Sequence, residues 1–215
     1  MLQTKVKASS VSNLTDARYF AAWDVDWLGF CLDENAPDYV SPPTLRAFRE
    51  WVDGPAIVGE FGLQSLEEIL ELATDLELDA IQLGPFADHS IRAGLREWFV
   101  IQEVVVSADT SWSDLESQLE EMAGEAGLFL LNLDSNRISL DDLKQGRPFS
   151  DIALKELCDR FPILLGMNWR VTEVPSILET LSPEGIYVRG GEEEKVGFKS
   201  FDELDDLFEL LEVLV

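Results

Sequence analysis

The chain is poor in the residue types that build metal sites and disulfide frameworks. It has 2 cysteines and 1 histidine. Cys31 and Cys158 are too few for a disulfide framework and have no metal-ligand spacing, so we expect two buried thiols. The histidine, His89, has no Cys or His neighbour with which to share a metal, and we expect it at a helix start or on the surface. We predict no metal and no other cofactor.

Basic residues are scarce as well. Lys and Arg number 16 against 42 Asp and Glu, which gives a formal net charge of -26. A field of this sign repels phosphate backbones and anionic lipids, so neither a nucleic acid nor a membrane is expected as a partner. The acids are spread over most candidate helices rather than gathered in one tail, so they do not indicate disorder. Life in a salt-rich cytoplasm is our hypothesis for this excess.

Long apolar runs are missing too. No stretch approaches the roughly 18 apolar residues of a membrane span, and the start, Met1-Leu2-Gln3-Thr4-Lys5, has no signal-peptide pattern. We therefore expect a soluble, cytoplasmic protein. With 46% hydrophobic residues the chain can bury a sizeable core, and no linker divides it. Residues 1–215 are predicted to form one domain.

What the sequence does contain is a regular alternation of short β-rich apolar runs and amphipathic helical patterns. This alternation predicts repeated βα units, and eight strands fit a closed parallel barrel of the α/β class. The predicted strands are Thr4–Ala8, Asp26–Leu32, Ala56–Phe61, Ala80–Leu83, Phe99–Val106, Leu128–Leu133, Ile163–Gly166 and Gly185–Val188.

Helix starts are marked between the strands. Ser41 precedes two prolines, and Ser65, Ser111 and Ser200 each fit the capping-box pattern. In the polar stretch after the sixth strand, we predict a short extra helix around Leu140–Lys144.

The opening of the chain resembles a known family. Three segments carry the resemblance: Lys7-Ala8-Ser9-Ser10-Val11-Ser12-Asn13-Leu14-Thr15-Asp16-Ala17, Leu28-Gly29-Phe30 and Ala36-Pro37-Asp38-Tyr39-Val40-Ser41. They follow the frame K-I-C-G-I-T-N-x-x-D-A, L-G-F and S-P-R-Y-V-S of phosphoribosylanthranilate isomerase. The resemblance extends over essentially the whole chain. It implies a (β/α)8 barrel and an Amadori rearrangement of an aminoaldose phosphate in tryptophan biosynthesis.

The resemblance also implies catalytic positions. Asp134, in Leu133-Asp134-Ser135, matches the family's L-D-S, whose aspartate is the general acid, and Ser9 stands where the family has its general-base cysteine. The reaction needs an acid that opens the sugar ring and a base that moves a proton from carbon. An unactivated serine hydroxyl does not ionise near neutrality. Ser9 is therefore either a weak catalytic group or a small polar residue that fills the barrel mouth.

Other matching positions imply ligand contacts. Lys7 belongs to the opening motif, and Gln82 stands in Gln82-Leu83-Gly84, where the family has Q-L-H-G. Asp38 replaces the arginine that meets the anthranilate carboxylate, so repulsion is expected to disfavour anthranilate. Glu60 replaces an apolar residue of V-G-V-F. We expect it either to face a cation or amine, or to form a salt bridge with Lys7.

The family binds phosphate with three glycine-bearing turns after strands six, seven and eight. Only the third is kept in outline, around Gly190 and Gly191. Three of the ten arginines follow these strands: Arg137, Arg170 and Arg189. Their guanidinium groups either replace the missing amides as anion ligands or neutralise acids such as Asp141, Glu173 and Glu192.

The first functional hypothesis is an isomerase-family barrel with Asp134 as the acid and Ser9 in the base position, with little or no activity on phosphoribosylanthranilate. Two alternatives stay open. One is a non-catalytic barrel that binds a protein partner or a small anion, such as a sugar phosphate, phosphate or sulfate. The other is a divergent enzyme for another sugar phosphate. No oligomeric state is predicted.

The excess of acidic residues predicts a salt effect on stability. Between 0.1 and 1 M salt the Debye length falls from about 10 Å to about 3 Å, which screens repulsion among carboxylates. We expect the melting temperature to rise when potassium chloride is increased over this range. A lower melting temperature in molar potassium chloride would contradict the hypothesis of salt adaptation.

Overall fold

The computed structural model describes residues 1–167, 170–189, 193–195, 198–199 and 201–213. Eight parallel strands form a closed barrel in chain order, with β8 paired to β1. The predicted (β/α)8 barrel is therefore confirmed. The strands are β1 Lys5–Ser9, β2 Trp27–Cys31, β3 Ala56–Phe61, β4 Ala80–Leu83, β5 Val100–Val105, β6 Leu128–Asn132, β7 Ile163–Gly166 and β8 Gly185–Arg189.

Helices follow the strands and cover the barrel. They are α1 Leu14–Ala22, α2 Pro42–Arg49, α3 Leu66–Asp75, α4 His89–Gly94, α5 Trp112–Met122, α6 Leu140–Lys144, α7 Asp151–Arg160, α8 Val174–Leu181 and α9 Asp202–Leu211. Short 3-10 turns lie at Asp134–Asn136 and Val171–Glu173, and β9 Glu193–Lys195 pairs antiparallel with β10 Phe198–Lys199. Among the described residues, no helix has the length and apolar character needed to cross a membrane.

The strand predictions agree closely with the structure. Ala56–Phe61, Ala80–Leu83 and Ile163–Gly166 have the predicted bounds, and each bound of the other five strands differs by one residue at most. The predicted extra helix is α6, Leu140–Lys144. Apolar periodicity identifies these elements well because each strand buries both of its faces.

The predicted helix starts agree with the structure less uniformly than the predicted strands do. Ser65 forms the predicted capping box with Glu68 at the start of α3. The box predicted at Ser111 is wrong, because the Ser111 hydroxyl makes no cap bond and instead meets the Ser113 hydroxyl at 2.9 Å. Ser41 precedes α2 with prolines in the first turn but likewise makes no cap bond. Ser200 lies outside the described residues.

Alternation along the strands separates two layers of side chains. Val58, Ala80, Ile101, Leu128, Leu130, Leu164 and Tyr187 form an apolar cluster inside the barrel. Residues with the opposite parity, such as Phe30 and Phe129, pack outward against the helices. Because side chains alternate with a period of two, Glu103 and Asn132 share the inner face with Ile101 and Leu130. The barrel is thus apolar at depth and becomes polar toward the carboxyl ends of the strands.

The capping box gives a stability prediction with an internal control. Ser65→Ala removes a hydroxyl that satisfies a free amide of α3. We expect it to lower the free energy of unfolding by about 1 kcal/mol. Ser111→Ala, at the start of α5, removes a hydroxyl without a cap bond and is expected to cost less. Urea denaturation of both variants tests this, and equal losses would contradict the assignment.

Candidate active site

The carboxyl ends of the eight parallel strands form one mouth. Ser9 is the last residue of β1, Gln82 lies near the end of β4, and Asp134 follows β6 by two residues. Ser9 and Gln82 are buried, and Asp134 is half-buried. The structure thus brings these three predicted site residues to one end of the barrel, where barrels of this class carry their active sites. Their roles stay predictions.

A buried ion pair lies beneath Ser9. The Lys7 side chain is fully buried, and its Nζ donates to Ser9 Oγ at 2.7 Å and to Glu60 Oε1 at 2.5 Å. Glu60 Oε2 accepts a hydrogen bond from the Ser10 amide at 3.0 Å. Of the two explanations for Glu60, the salt bridge to Lys7 is the one observed.

The backbone of β2 makes room for this pair. A Cβ atom on Gly29 would lie 2.0 Å from Glu60 Oε1 and 2.5 Å from Lys7 Nζ, so a side chain there would displace both groups. Since Lys7 donates into the Ser9 oxygen, one lone pair of that oxygen faces a cation. This contact lowers the basicity of the hydroxyl and leaves Ser9 better suited to donate a hydrogen bond than to accept a proton.

A second polar cluster lies across β5 and β6. Asn132 Nδ2 donates to Glu103 Oε1 at 2.7 Å, and Asn132 Oδ1 accepts from the Ser135 amide at 2.9 Å. Through Ser135, Asn132 anchors the 3-10 turn that begins with Asp134. Glu103 and Asp134 are therefore tied to one hydrogen-bonded unit.

Tyr187 and Arg189, on β8, face these acids. The Tyr187 ring lies against Gly166, where a Cβ would come within 1.5 Å of Cε1. Burial raises the pKa of Tyr187 well above its usual value, with Arg189 opposing and Asp134 and Glu103 adding to the effect. Burial acts to lower the pKa of Arg189. The pKa is nevertheless raised above its usual value by the surrounding groups, Tyr187, Glu103, Glu60 and Asp134. Tyr187 thus stays protonated, and Arg189 adds a positive charge to that of Lys7 among the acids of the mouth.

The other candidate anion ligands are arranged differently. Arg170 is exposed; its Nη2 lies 3.0 Å from Asp141 Oδ2 and also contacts Glu173. These hydrogen-bonded carboxylates raise the pKa of Arg170, and this arrangement is the neutralising alternative. Arg137 is exposed with a left-handed backbone at φ 54°. Gly190 and Gly191 lie outside the described residues. Anion binding by these groups stays a prediction.

The charge of Asp38 acts on Cys31, the last residue of β2. Burial, together with the charges of Asp38, Glu60 and Asp33, raises the pKa of Cys31 to about 12. Cys31 is therefore a protonated, buried thiol, and the half-buried Asp38 adds negative charge at the carboxyl end of β2. Within the described part of the chain, no three His, Cys, Asp or Glu side chains gather as a metal site would require.

The sequence matches the model of an enzyme family. The family model described as N-(5'phosphoribosyl)anthranilate (PRA) isomerase matches residues 6–209. The chain belongs to the phosphoribosylanthranilate isomerase family. The match spans the whole barrel from β1 into α9. A comparison with curated proteins gave no match.

Solved structures of phosphoribosylanthranilate isomerases share the fold. The enzyme from Thermotoga maritima is 24% identical with a TM-score of 0.75, over 96% of this chain and 97% of that chain. An isomerase in complex with reduced 1-(o-carboxyphenylamino)-1-deoxyribulose 5-phosphate is 23% identical, with a TM-score of 0.72 and the same coverage. The Thermococcus kodakaraensis enzyme is 16% identical with a TM-score of 0.74, over 96% and 98% of the two chains. At these identities the likeness shows the fold alone.

Three residues of the mouth of this phosphoribosylanthranilate isomerase family member were not among the candidates named from its sequence: Glu103, Asn132 and Tyr187. The signal that could have found them is a polar residue at an inward position near the end of a predicted strand. Glu103 follows Ile101 by two residues, and Asn132 follows Leu130 by two. The alternation along a strand says which residues share a face, but not which of the two faces points into the barrel. Only the tertiary structure decides that.

The buried pair of this family member gives a prediction with a matched surface control. Glu60→Gln leaves the Lys7 charge buried without a counter-ion, and we expect the free energy of unfolding to fall by about 3–5 kcal/mol. Glu184→Gln breaks the exposed Lys5–Glu184 bridge in the same barrel and is expected to cost less than about 1 kcal/mol. Urea unfolding compares the two.

A double variant, Lys7→Met with Glu60→Leu, replaces the pair with apolar side chains. We expect it to regain much of the stability lost in Glu60→Gln. Two results would contradict the prediction that Glu60 is needed as the counter-ion of a buried Lys7. One is a double variant no more stable than Glu60→Gln, and the other is a loss of unfolding free energy in Glu60→Gln no larger than in Glu184→Gln.

Proposed function

We propose that this chain catalyses an Amadori-type isomerisation of an aminoaldose phosphate whose amine part carries no carboxylate. Membership of the isomerase family supplies the reaction class. The observation that carries the change of substrate is Asp38, half-buried at the carboxyl end of β2, whose charge acts on Cys31 together with those of Asp33 and Glu60. A carboxylate on the amine part would be repelled by the charge of Asp38, whereas a neutral or cationic amine part is tolerated.

The geometry after β6 supports Asp134 as the general acid of this reaction. Asp134 stands at the start of a turn held by Asn132, within electrostatic reach of Arg189 and Tyr187. In this position it would give a proton to the ring oxygen and so open the sugar. The electron pair on nitrogen then forms an iminium with the first sugar carbon. Arg189, on the neighbouring part of the mouth, is our candidate for stabilising negative charge on the substrate.

The base half differs from the family's pattern. Ser9 replaces the cysteine and receives a hydrogen bond from Lys7, which lies in an ion pair with Glu60. Loss of a positioned base reduces a rate by roughly 10²–10⁴-fold. This supports very low activity on phosphoribosylanthranilate by the route that the family uses.

Binding of the phosphate belongs to the same proposal. Arg189, with Gly190 and Gly191 that follow it in the sequence, is the candidate set of ligands for a sugar phosphate, phosphate or sulfate. The family's biosynthetic chemistry supports a cytoplasmic enzyme. A second candidate function, a barrel that binds a small anion without catalysis, is favoured by one observation: Ser9, in the family's base position, accepts a hydrogen bond from the Lys7 ammonium group.

A comparison of two substrates tests the proposal. Phosphoribosylaniline, made from aniline and ribose 5-phosphate, is phosphoribosylanthranilate without the carboxylate. We expect kcat/KM for phosphoribosylaniline to be at least tenfold higher, and Asp38→Asn to narrow the ratio, because that variant removes one repelling charge. Glu34→Gln, an exposed acid of the same loop, is the control and should leave the ratio unchanged.

Ser9→Cys alone should not restore activity on phosphoribosylanthranilate while Asp38 remains. Efficient turnover of phosphoribosylanthranilate, or rescue of a tryptophan-requiring strain that lacks its own isomerase, would overturn the proposed substrate class. Absence of turnover on both compounds, with a phosphate-induced rise in melting temperature beyond that in chloride of equal ionic strength, would favour the non-catalytic barrel.

A further inference from the structure

The proposed isomerisation needs a base, and the residue in the family's base position is poorly suited to that role. Ser9 is buried, and its oxygen accepts a hydrogen bond from Lys7 at 2.7 Å. An ammonium group at this distance disfavours any further positive charge on the hydroxyl. A different group has to take the proton from the second sugar carbon.

Glu60 accepts from the same Lys7 ammonium group as Ser9, but both of its oxygens are engaged. Oε1 forms the ion pair with Lys7, and Oε2 accepts from the Ser10 amide. Proton uptake by Glu60 would leave the Lys7 charge without a counter-ion inside the barrel, which is costly. Glu60 is thus a structural counter-ion rather than a base.

Glu103 has the arrangement that Glu60 lacks. It is half-buried on the inner face of β5, two residues beyond Ile101 of the apolar interior cluster. Its Oε1 is oriented by Asn132 Nδ2 at 2.7 Å, and among the described residues nothing is hydrogen-bonded to its Oε2. An oriented carboxylate with one free oxygen is the arrangement expected of a general base with an orienting partner.

The same hydrogen bonds set the spacing between base and acid. Asn132 holds Glu103 through its amide nitrogen and the Ser135 amide through its amide oxygen, and Ser135 adjoins Asp134. Glu103 and the turn that begins with Asp134 are therefore held by one side chain at the ends of neighbouring strands. Both also lie within electrostatic reach of Tyr187 and Arg189.

We infer that Glu103 is the general base of this barrel and that Asn132 is its positioning residue. The inference rests on the proposed function. It moves the base from β1, where the family has its cysteine, to β5, beside the acid. The probe reaction is therefore the isomerisation of phosphoribosylaniline.

The proton transfers balance over one turnover. Asp134 protonates the ring oxygen, whose bond to the first sugar carbon breaks as the nitrogen lone pair forms the iminium. Glu103 takes the proton from the second carbon; that electron pair forms the carbon–carbon double bond, and the iminium π electrons return to nitrogen. Glu103 then delivers its proton to the first carbon while the hydroxyl on the second carbon loses its proton to Asp134. Both carboxyl groups end as they began, and the net change is an isomerisation.

Glu103→Gln tests the inference, because its amide oxygen can still accept from Asn132 while its side chain cannot take a proton. We expect kcat for phosphoribosylaniline to fall by roughly 10²–10⁴-fold, with loss of deuterium exchange at the second carbon in heavy water. The melting temperature, and binding of the reduced product analogue 1-anilino-1-deoxyribitol phosphate measured by calorimetry, should stay close to those of the unaltered protein. Glu121→Gln, an exposed acid on α5, is the charge-matched control and should behave like the unaltered protein.

Asn132→Ala separates a base from a merely structural acid. It removes the orienting bond but leaves the carboxylate, so we expect a smaller loss of kcat than in Glu103→Gln and retained deuterium exchange. If Glu103→Gln keeps kcat within threefold, or if it loses binding and activity equally, Glu103 is not the base although the proposed function stands. If the unaltered protein does not turn over phosphoribosylaniline at all, the proposed function and this assignment both fail.

Discussion

The ion pair between Lys7 and Glu60 is the interaction around which the mouth of this barrel is arranged. Two charges removed from water are stable only when each has its partner and its remaining hydrogen bonds, and here Ser9, the Ser10 amide and the space over Gly29 supply them. The pair links β1 to β3 across β2. It also determines the chemistry of Ser9, because the hydroxyl lies directly on the buried cation.

The mouth is consequently divided into two halves with different properties. Around β1 to β3, the charges of Lys7 and Glu60 satisfy each other, and Asp38 adds a negative field at the edge. Around β5 to β8 lie Glu103, Asn132, Tyr187 and Arg189, and Glu103 has one oxygen without a hydrogen bond from the described residues. In a fold that accommodates many reactions, this redistribution of polar groups matters more than the barrel itself.

Salt screens the charges on the strongly negative surface more than it screens those buried in the mouth. Exposed pairs such as Lys5–Glu184 are screened by salt and contribute little, so the acidic helices chiefly affect solubility and the response to salt. Buried charges of the mouth, such as Lys7 and Glu60, are screened much less by salt. The net charge of -26 therefore says little about the site.

The sequence by itself determined the barrel. Apolar runs such as Ala56–Phe61 and Ile163–Gly166 are almost entirely buried in a parallel sheet, so their length and spacing indicate strands without tertiary information. The motif around Lys7 indicates the family. Caps were less certain: Ser65 and Ser111 fit one pattern, yet only Ser65 forms the bonds, because a serine hydroxyl has local competitors such as Ser113. Only the tertiary structure decided that Glu60 pairs with Lys7, and that Glu103 and Asn132 meet at the mouth. Lys7 and Glu60 are 53 positions apart in the sequence, and Glu103 and Asn132 are 29 positions apart. Contacts at such separations are set by the order and register of the strands around the closed barrel.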